Sequence, residues 1–204
     1  MITIRKAILE DKKDFSNLIM ISSPYFTSLF SDKIERILQN IFCNEVNLFS
    51  FKNVYFAEMD RKNAGMVLGY DWKIKRRQNF MTGLLLFKEI GFRIFLKLLL
   101  LLRFNATVGA MENDDYYISN LATYSEYRGK GIGKLLIGQS EKDAVLSNCK
   151  RVVLDVEKDN VNAINFYKNL GYNIEKEFKI DFKDNKLFFY RMVKLMNINY
   201  TQNF

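Results

Sequence analysis

The chain contains no histidine. That absence removes histidine acid–base chemistry, Ser–His and Cys–His nucleophilic systems, and most zinc sites from consideration. Cysteine is almost as scarce: Cys43 and Cys149 stand far apart, no secretory leader is read at the start, and the default expectation is a reduced, cytoplasmic chain without a disulfide. One proline among 204 residues leaves no obvious linker, and a 49% hydrophobic content is enough to predict a single domain over residues 1–204 with a sizeable core. No internal repeat or low-complexity segment stands out. Lysine and arginine outnumber acids by 31 to 23, for a formal charge of +8. That balance suits an anionic ligand, nucleic acid or an anionic membrane alike, so charge alone does not choose.

The most informative stretch is Arg128-Gly129-Lys130-Gly131-Ile132-Gly133. It sits between a strand-like segment, Tyr116 to Thr123, and a helical pattern that begins at Ile132. Glycines at 129, 131 and 133 remove the Cβ atoms that would keep a ligand off the backbone. Several N–H groups are left free at the helix N-terminus, where the dipole also favours negative charge, and Lys130 and Lys134 add cationic character. A glycine-rich loop alone is weak evidence, since an ordinary turn opening a helix reads the same way. Downstream, Val152, Leu154 and Val156 alternate with Asp155 and Glu157 as in a half-buried strand. Asn160 or Asn162 is then placed to cap a short helix with an apolar face of Ala163, Phe166, Tyr167 and Leu170, and Gly171 to end it.

Elsewhere, Ile2 to Ala7 alternates like a strand, and Asp11, with Asp14 three residues on, opens a helix carrying Phe15, Leu18 and Ile19. A second helix is predicted over Ile34 to Ile41. Val54–Met59 and Gly65–Tyr70 flank Asp60–Ala64 as a hairpin. Lys186 to Leu195 reads as a last strand whose apolar run is broken by Arg191.

Two motifs in this order resemble the GNAT superfamily of acyl-CoA-dependent N-acetyltransferases. Leu121 to Thr123 followed by Tyr127 to Gly133 is similar to that family's strand and pyrophosphate loop, and Asn160 to Tyr172 to its Asn-x-x-Ala-x-x-Phe-Tyr-x-x-x-Gly-Phe segment. The resemblance implies a mixed α/β fold, a mainly antiparallel sheet with helices on both faces, and acetyl-CoA as co-substrate without a metal. It implies that backbone amides of Gly129, Lys130, Gly131, Ile132, Gly133 and Lys134 hold the pyrophosphate. The edge of Leu121, Ala122 and Thr123 pairs with the pantetheine amides and offers an N–H to the thioester oxyanion. Arg128 is then a phosphate contact or a solvated cation, and Asn160 a cofactor contact or a helix cap. Tyr167 is implied as the general acid that protonates the departing thiolate, against a plain packing role. A phenol near pKa 10 donating to a thiolate near 8.5 is uphill by about 2 kcal/mol, so its effect is expected to be modest.

Relatives in that family often carry a glutamate on the strand before the glycine loop, but Tyr116 to Leu121 contains no acid. Glu58, Asp114 and Asp115 are open candidates for the base, as is a water chain, and none is assigned. The implied acceptor is a primary amine, on a small molecule or a protein. The other readings are an acyl-CoA sensor without turnover and, less favoured, nucleic-acid binding through Lys73 to Arg77.

Residues 72–113 match no part of the shared core and are read as an insertion. Leu84 to Phe104 is densely apolar, with Lys88, Glu89, Arg93 and Lys97 as a narrow polar stripe on a helix. Its longest uninterrupted apolar run there, Leu98 to Leu102, falls far short of the roughly twenty residues that cross a bilayer. A helix packed on the sheet or on a second subunit is favoured over one lying on a membrane surface, which the basic Lys73, Lys75, Arg76 and Arg77 keep in view. Placed between the hairpin and the cofactor segment, the insertion is expected to wall the acceptor side of the cleft, with Trp72 and Phe80 bordering a pocket.

Overall fold

The computed structural model describes residues 1–24, 33–90, 108–182 and 185–197. In chain order these form β1 (Ile2–Lys6), α1 (Lys12–Ser22), α2 (Ile34–Phe42), β2 (Val54–Met59), β3 (Lys62–Asp71), α3 (Trp72–Ile90), β4 (Asp115–Thr123), α4 (Ile132–Leu146), β5 (Arg151–Glu157), α5 (Val161–Asn169), β6 (Asn173–Phe182) and β7 (Asn185–Leu195). The strands make a seven-stranded sheet in the order β1-β2-β3-β4-β5-β7-β6. Neighbours run antiparallel except β4 and β5, which are parallel.

Period-two alternation along β3 sends Met66 and Leu68 to one face and Val67 to the other. On the first face Phe15, Leu18 and Ile19 of α1 and Leu38 and Ile41 of α2 pack over Phe56, Met66 and Leu68. On the second, Leu136 and Ile137 of α4 and Ile164 and Tyr167 of α5 pack over Val67, Val152 and Leu154. The mixed α/β architecture with helices on both faces is therefore the one the motifs imply. Phe15 and Phe42, both fully buried, stack with centroids 4.5 Å apart and tie α1 to α2; truncating either ring to alanine costs about 3 to 5 kcal/mol.

Several local expectations change. The hairpin turn is not Asp60–Ala64 but Asp60 and Arg61 alone, at φ 54° and 61°, and the rest of that stretch belongs to β3. Two successive positive φ values are those of the turn whose twist matches a hairpin. Asp11 does open α1, as its N-cap residue, but its carboxylate accepts the Ile8 N–H at 2.8 Å and two Arg5 N–H groups at 2.7 and 2.8 Å instead of an N–H of the helix. In α5 the buried residues are Ile164 and Tyr167, with Ala163 and Phe166 half-buried. β6 had no counterpart in the sequence reading. It is an edge strand, paired to β7 only, and Glu175, Lys176, Glu177 and Lys179 stand exposed along it, as charges that blunt a sheet edge do.

The described part of the insertion begins earlier than the apolar pattern indicates. α3 starts at Trp72, directly after β3, because the Asp71 carboxylate accepts the Ile74 N–H at 2.7 Å and caps the new helix. The expected partners Arg93 and Lys97 lie outside the described residues, and Glu89 accepts a hydrogen bond from Asn40 at 3.0 Å. Among the described residues no helix is long and apolar enough to cross a membrane.

Candidate active site

The site originates in a loss of strand pairing. β4 and β5 are paired from Asp115↔Arg151 to Ile118↔Leu154 and no further. At that point β4 bulges: Ile118 faces Gly69 and Asn120 faces Leu68, leaving Ser119 as the extra residue. β4 then follows β3 to Thr123, while β5 follows β7 to Glu157. Between the diverging strands lies a cavity of about 1090 Å³. The β5-facing main chain of Ser119 to Thr123 has no strand partner among the described residues.

At one end of the cavity is the start of α4. Gly131 is its N-cap, at φ 80° and ψ 2°, and Gly129 has φ 77°. A Cβ added at either would meet no atom of the described residues within 4 Å, so the space in front of both is open to them. First-turn N–H groups facing open space at positive-φ glycines fit a pyrophosphate, both in shape and in the sign of the helix dipole. Of the residues assigned to the cofactor, Leu121, Ala122, Thr123, Arg128, Gly129, Gly131, Ile132, Gly133, Lys134 and Asn160 all line the cavity, and so does Tyr167. Lys130 is not among the lining residues; its ammonium sits 5.2 Å from the centre of the Tyr127 ring. Asn160 caps α5, accepting the Ala163 N–H at 3.1 Å through its side-chain oxygen, and lines the cavity as well.

Tyr167 is 9% exposed, with its ring edge-on to Phe166 and Tyr172 at 5.2 and 5.9 Å. Its hydroxyl makes no hydrogen bond among the described residues, yet no fully buried side-chain oxygen or nitrogen there lacks a partner, so the hydroxyl opens into the cavity. Burial raises its pKa above the ordinary phenol value. The group stays protonated at neutral pH, and full proton transfer to a thiolate is more uphill than for a free phenol. Such a phenol serves as a hydrogen-bond donor to developing negative charge.

The deep end holds groups that the sequence reading passed over. Asp155 on β5 has a fully buried side chain, gripped by Arg191 of β7 through two bonds of 2.9 Å. It also accepts the Gly109 N–H at 2.7 Å and the Tyr117 hydroxyl at 3.2 Å. Burial works against the Arg191 charge, but the hydrogen bonds and charge of Asp155 outweigh it and its pKa is raised. Lys75, from the first turns of α3, donates to the Gly109 carbonyl. Burial lowers its pKa, and Arg191 adds to the shift while Asp155 opposes it. Nearby, the Asn120 amide donates to Ser22 and Ser23 at 2.9 and 3.0 Å and accepts from Ser119 at 2.9 Å.

The carboxylates considered as bases lie elsewhere. Glu58 is held by Arg5 at 2.7 Å, Asp114 by Lys150 at 3.0 Å, and Asp115 by Arg151 at 2.7 and 3.1 Å; none lines the cavity. The lining acids are Asp155 and Glu157; of these two, Glu157 has no ion-pair or side-chain hydrogen-bond partner among the described residues. The insertion does wall the cavity, through Lys75, Asn79, Thr82, Gly83 and Leu86. Trp72 instead packs into the α4 side of the core, and Phe80 points outward, 78% exposed. The basic cluster divides in the same way: Lys73, Arg76 and Arg77 are exposed, whereas Lys75 turns inward.

Comparison with known proteins decides the family. The sequence profile of the acetyltransferase (GNAT) family matches residues 18–172, well over half of the chain. The chain belongs to the GNAT acetyltransferase family. Among curated GNAT relatives, L-ornithine N5-acetyltransferase NATA1 of Arabidopsis thaliana is 42% identical over 65 residues, which is 32% of this chain and 28% of that protein. N-alpha-acetyltransferase 30 of Xenopus laevis is 42% identical over 60 residues, 29% of this chain and 22% of its own length. The chain therefore spans less than a third of each of these two relatives. Among solved structures, an N-acetyltransferase from Staphylococcus aureus Mu50 superposes with a TM-score of 0.66 at 17% identity, covering 94% of this chain and all of its own. The NatC complex bound to Gag peptide and CoA matches at a TM-score of 0.57 and 17% identity, over 96% and 99% of the two chains. At such identities the structural likeness carries the fold alone.

Proposed function

We propose that this chain is an N-acetyltransferase, built as one domain with the insertion at 72–113 inside it, that moves an acetyl group from acetyl-CoA directly to a primary amine. The observation that carries this reading is the wedge between β4 and β5, with an unpaired strand edge along one side and the open N-terminus of α4 at its mouth. The amides from Gly129 to Lys134 bind the pyrophosphate, assisted by the charges of Arg128 and Lys134. The pantetheine arm supplies amide partners for Leu121 to Thr123, as an added strand would.

Acetyl-CoA supplies a thioester activated toward an amine. The protein's part is to hold it beside the acceptor, to stabilise the oxyanion through an N–H of the β4 edge, and to donate a hydrogen bond from Tyr167 to the departing sulfur. Glu157 is the lining carboxylate free to receive the amine's proton, directly or through water. The names of the two curated relatives, an L-ornithine N5-acetyltransferase and an N-alpha-acetyltransferase, point to amino-acid side-chain amines and α-amines as acceptor classes.

The test is thiol release from acetyl-CoA in the presence of a panel of primary amines. Amine-dependent release is expected. Tight coenzyme A binding with no release from any amine identifies an acyl-CoA sensor on the same fold and overturns the enzymatic reading.

A further inference from the structure

Resting on the acetyltransferase reading, we propose that the amine acceptor is a small molecule that also carries a carboxylate, received by the Lys75 ammonium at the deep end of the cavity. Among the described residues Lys75 and Asp155 line this end, and Arg191 stands beside Asp155 without lining it. That carboxylate already accepts four hydrogen bonds. Arg191 binds both of its oxygens, and Gly109 and Tyr117 add two more at Oδ2. Arg191 is equally committed, being 3% exposed and outside the cavity lining.

Lys75 differs from both. It is half-buried, it lines the cavity, and among the described residues its one hydrogen bond is to the Gly109 carbonyl, an uncharged acceptor. An ammonium has three N–H donors, so two remain for a ligand. The charge effects on Lys75 agree with this: burial and then Arg191 disfavour its charged form, Asp155 favours it, and an arriving anion adds to the favourable side.

The opposite sign lies farther along the same strand. Glu157 is two residues from Asp155 on the same face of β5, a separation of about 7 Å, and it has no partner among the described residues. A cavity with an unpaired carboxylate toward one end and an underused ammonium toward the other matches a zwitterion, with the amine near Glu157 and the carboxylate on Lys75. It does not match a diamine, whose second ammonium would meet Lys75. The neutral group formed by Ser22, Ser23, Ser119 and Asn120 is bonded internally and adds no charge.

The experiment is a thiol-release assay on matched acceptors: β-alanine against β-alaninamide, L-leucine against L-leucinamide, and L-lysine against cadaverine, each corrected for its fraction of neutral amine. Wild-type protein is expected to favour the carboxylate-bearing member by about 10- to 100-fold in kcat/KM, the range of one charge-assisted hydrogen bond. Lys75→Gln should reduce that preference to within about threefold, Lys75→Arg should preserve it, and the KM for acetyl-CoA should stay the same in all three proteins. Equal or better use of the amides and the diamine by wild type overturns the inference while leaving acetyl transfer intact. So does a preference that survives in Lys75→Gln. No release from any of the six amines, with coenzyme A binding intact, would take down the acetyltransferase reading and this inference with it.

Discussion

Arg191 on β7 stands directly across from Asp155 on β5 in the sheet register and holds both of its carboxylate oxygens at 2.9 Å, with the two side chains 4% and 0% exposed. The pair forms one wall-post of the cavity, and its energetics are those of a buried ion pair: costly to assemble and costlier to halve. Asp155→Asn is expected to lower unfolding stability by about 3 to 5 kcal/mol, because Arg191 is left charged and buried. The double change Asp155→Leu with Arg191→Met should recover most of that loss. Urea titrations of the three proteins measure both effects, and a loss below about 1 kcal/mol in the single variant would mean that water reaches the pair.

Tyr167→Phe keeps the ring and its packing against Tyr172. The expected result is a fall in kcat of about 10- to 1000-fold with acetyl-CoA affinity nearly unchanged, since the hydroxyl acts on the leaving sulfur and not on the bound ground state. Steady-state kinetics alongside calorimetry decide it. Wild-type turnover would make Tyr167 a core residue with a wet hydroxyl.

Gly131→Ala tests the mouth of the wedge. The open space in front of its Cβ position means that no atom of the described residues resists the methyl group, so the fold bears the strain of a positive φ, about 1 kcal/mol. A pyrophosphate held on these amides does resist it. Coenzyme A affinity is expected to fall at least tenfold, by calorimetry, in a variant whose thermal unfolding is shifted by only a few degrees. Undiminished affinity would move the cofactor elsewhere.

A pH effect follows from Asp11. Burial alone would raise its pKa, but the bonds from Arg5, Ile8 and Asn63 outweigh that and its pKa is lowered. A carboxylate with a depressed folded-state pKa adds stability that is fully present above its unfolded value, near 3.9, and is lost as pH falls through the folded value. Asp11→Asn should therefore cost about 2 kcal/mol at neutral pH and progressively less as pH falls through the folded value, so that the two stability curves converge in acid. Parallel curves would show that the pair with Arg5 contributes no charge-dependent stability.

On α3, Asn79 lines the cavity while its neighbour Phe80 points away from it. Asn79→Ala should raise the KM for the amine several-fold and leave that for acetyl-CoA unchanged, and Phe80→Ala should change neither. Equal effects of Asn79→Ala on both substrates would reduce the helix to scaffold.

The parts of the fold with strong local chemistry were legible in the chain: the glycine run, the Asn160 cap, the alternation of β5. What the sequence hid was pairing between distant segments. Asp155 alternates with apolar residues in the way a solvent-facing acid does, and Arg191 looks like a lone break in an apolar strand. Each irregularity accounts for the other, and an acid and a base interrupting two core strands was the available signal. Lys75 was hidden differently. Sequence adjacency grouped it with Lys73, Arg76 and Arg77, whereas helical periodicity turns it inward and leaves the other three exposed. β6 was missed although Phe178, Ile180 and Phe182 alternate with Lys179 and Asp181, because charged residues dominate its first half and Lys176 interrupts the apolar set beside the register shift at Ile174/Lys176.

The sheet is continuous in its strand order, but its two halves are joined by only four rungs, Asp115↔Arg151 to Ile118↔Leu154. Mechanically it is a pair of panels, β1 to β4 and β5 to β7, seamed along one short stretch and parted beyond it. A ligand that hydrogen-bonds to the β4 panel and packs against the β5 panel supplies the missing length of seam. The acyl carrier would then belong to the load path of the sheet as well as to its chemistry, and slower amide exchange on loading should spread into both panels instead of staying at the glycine loop.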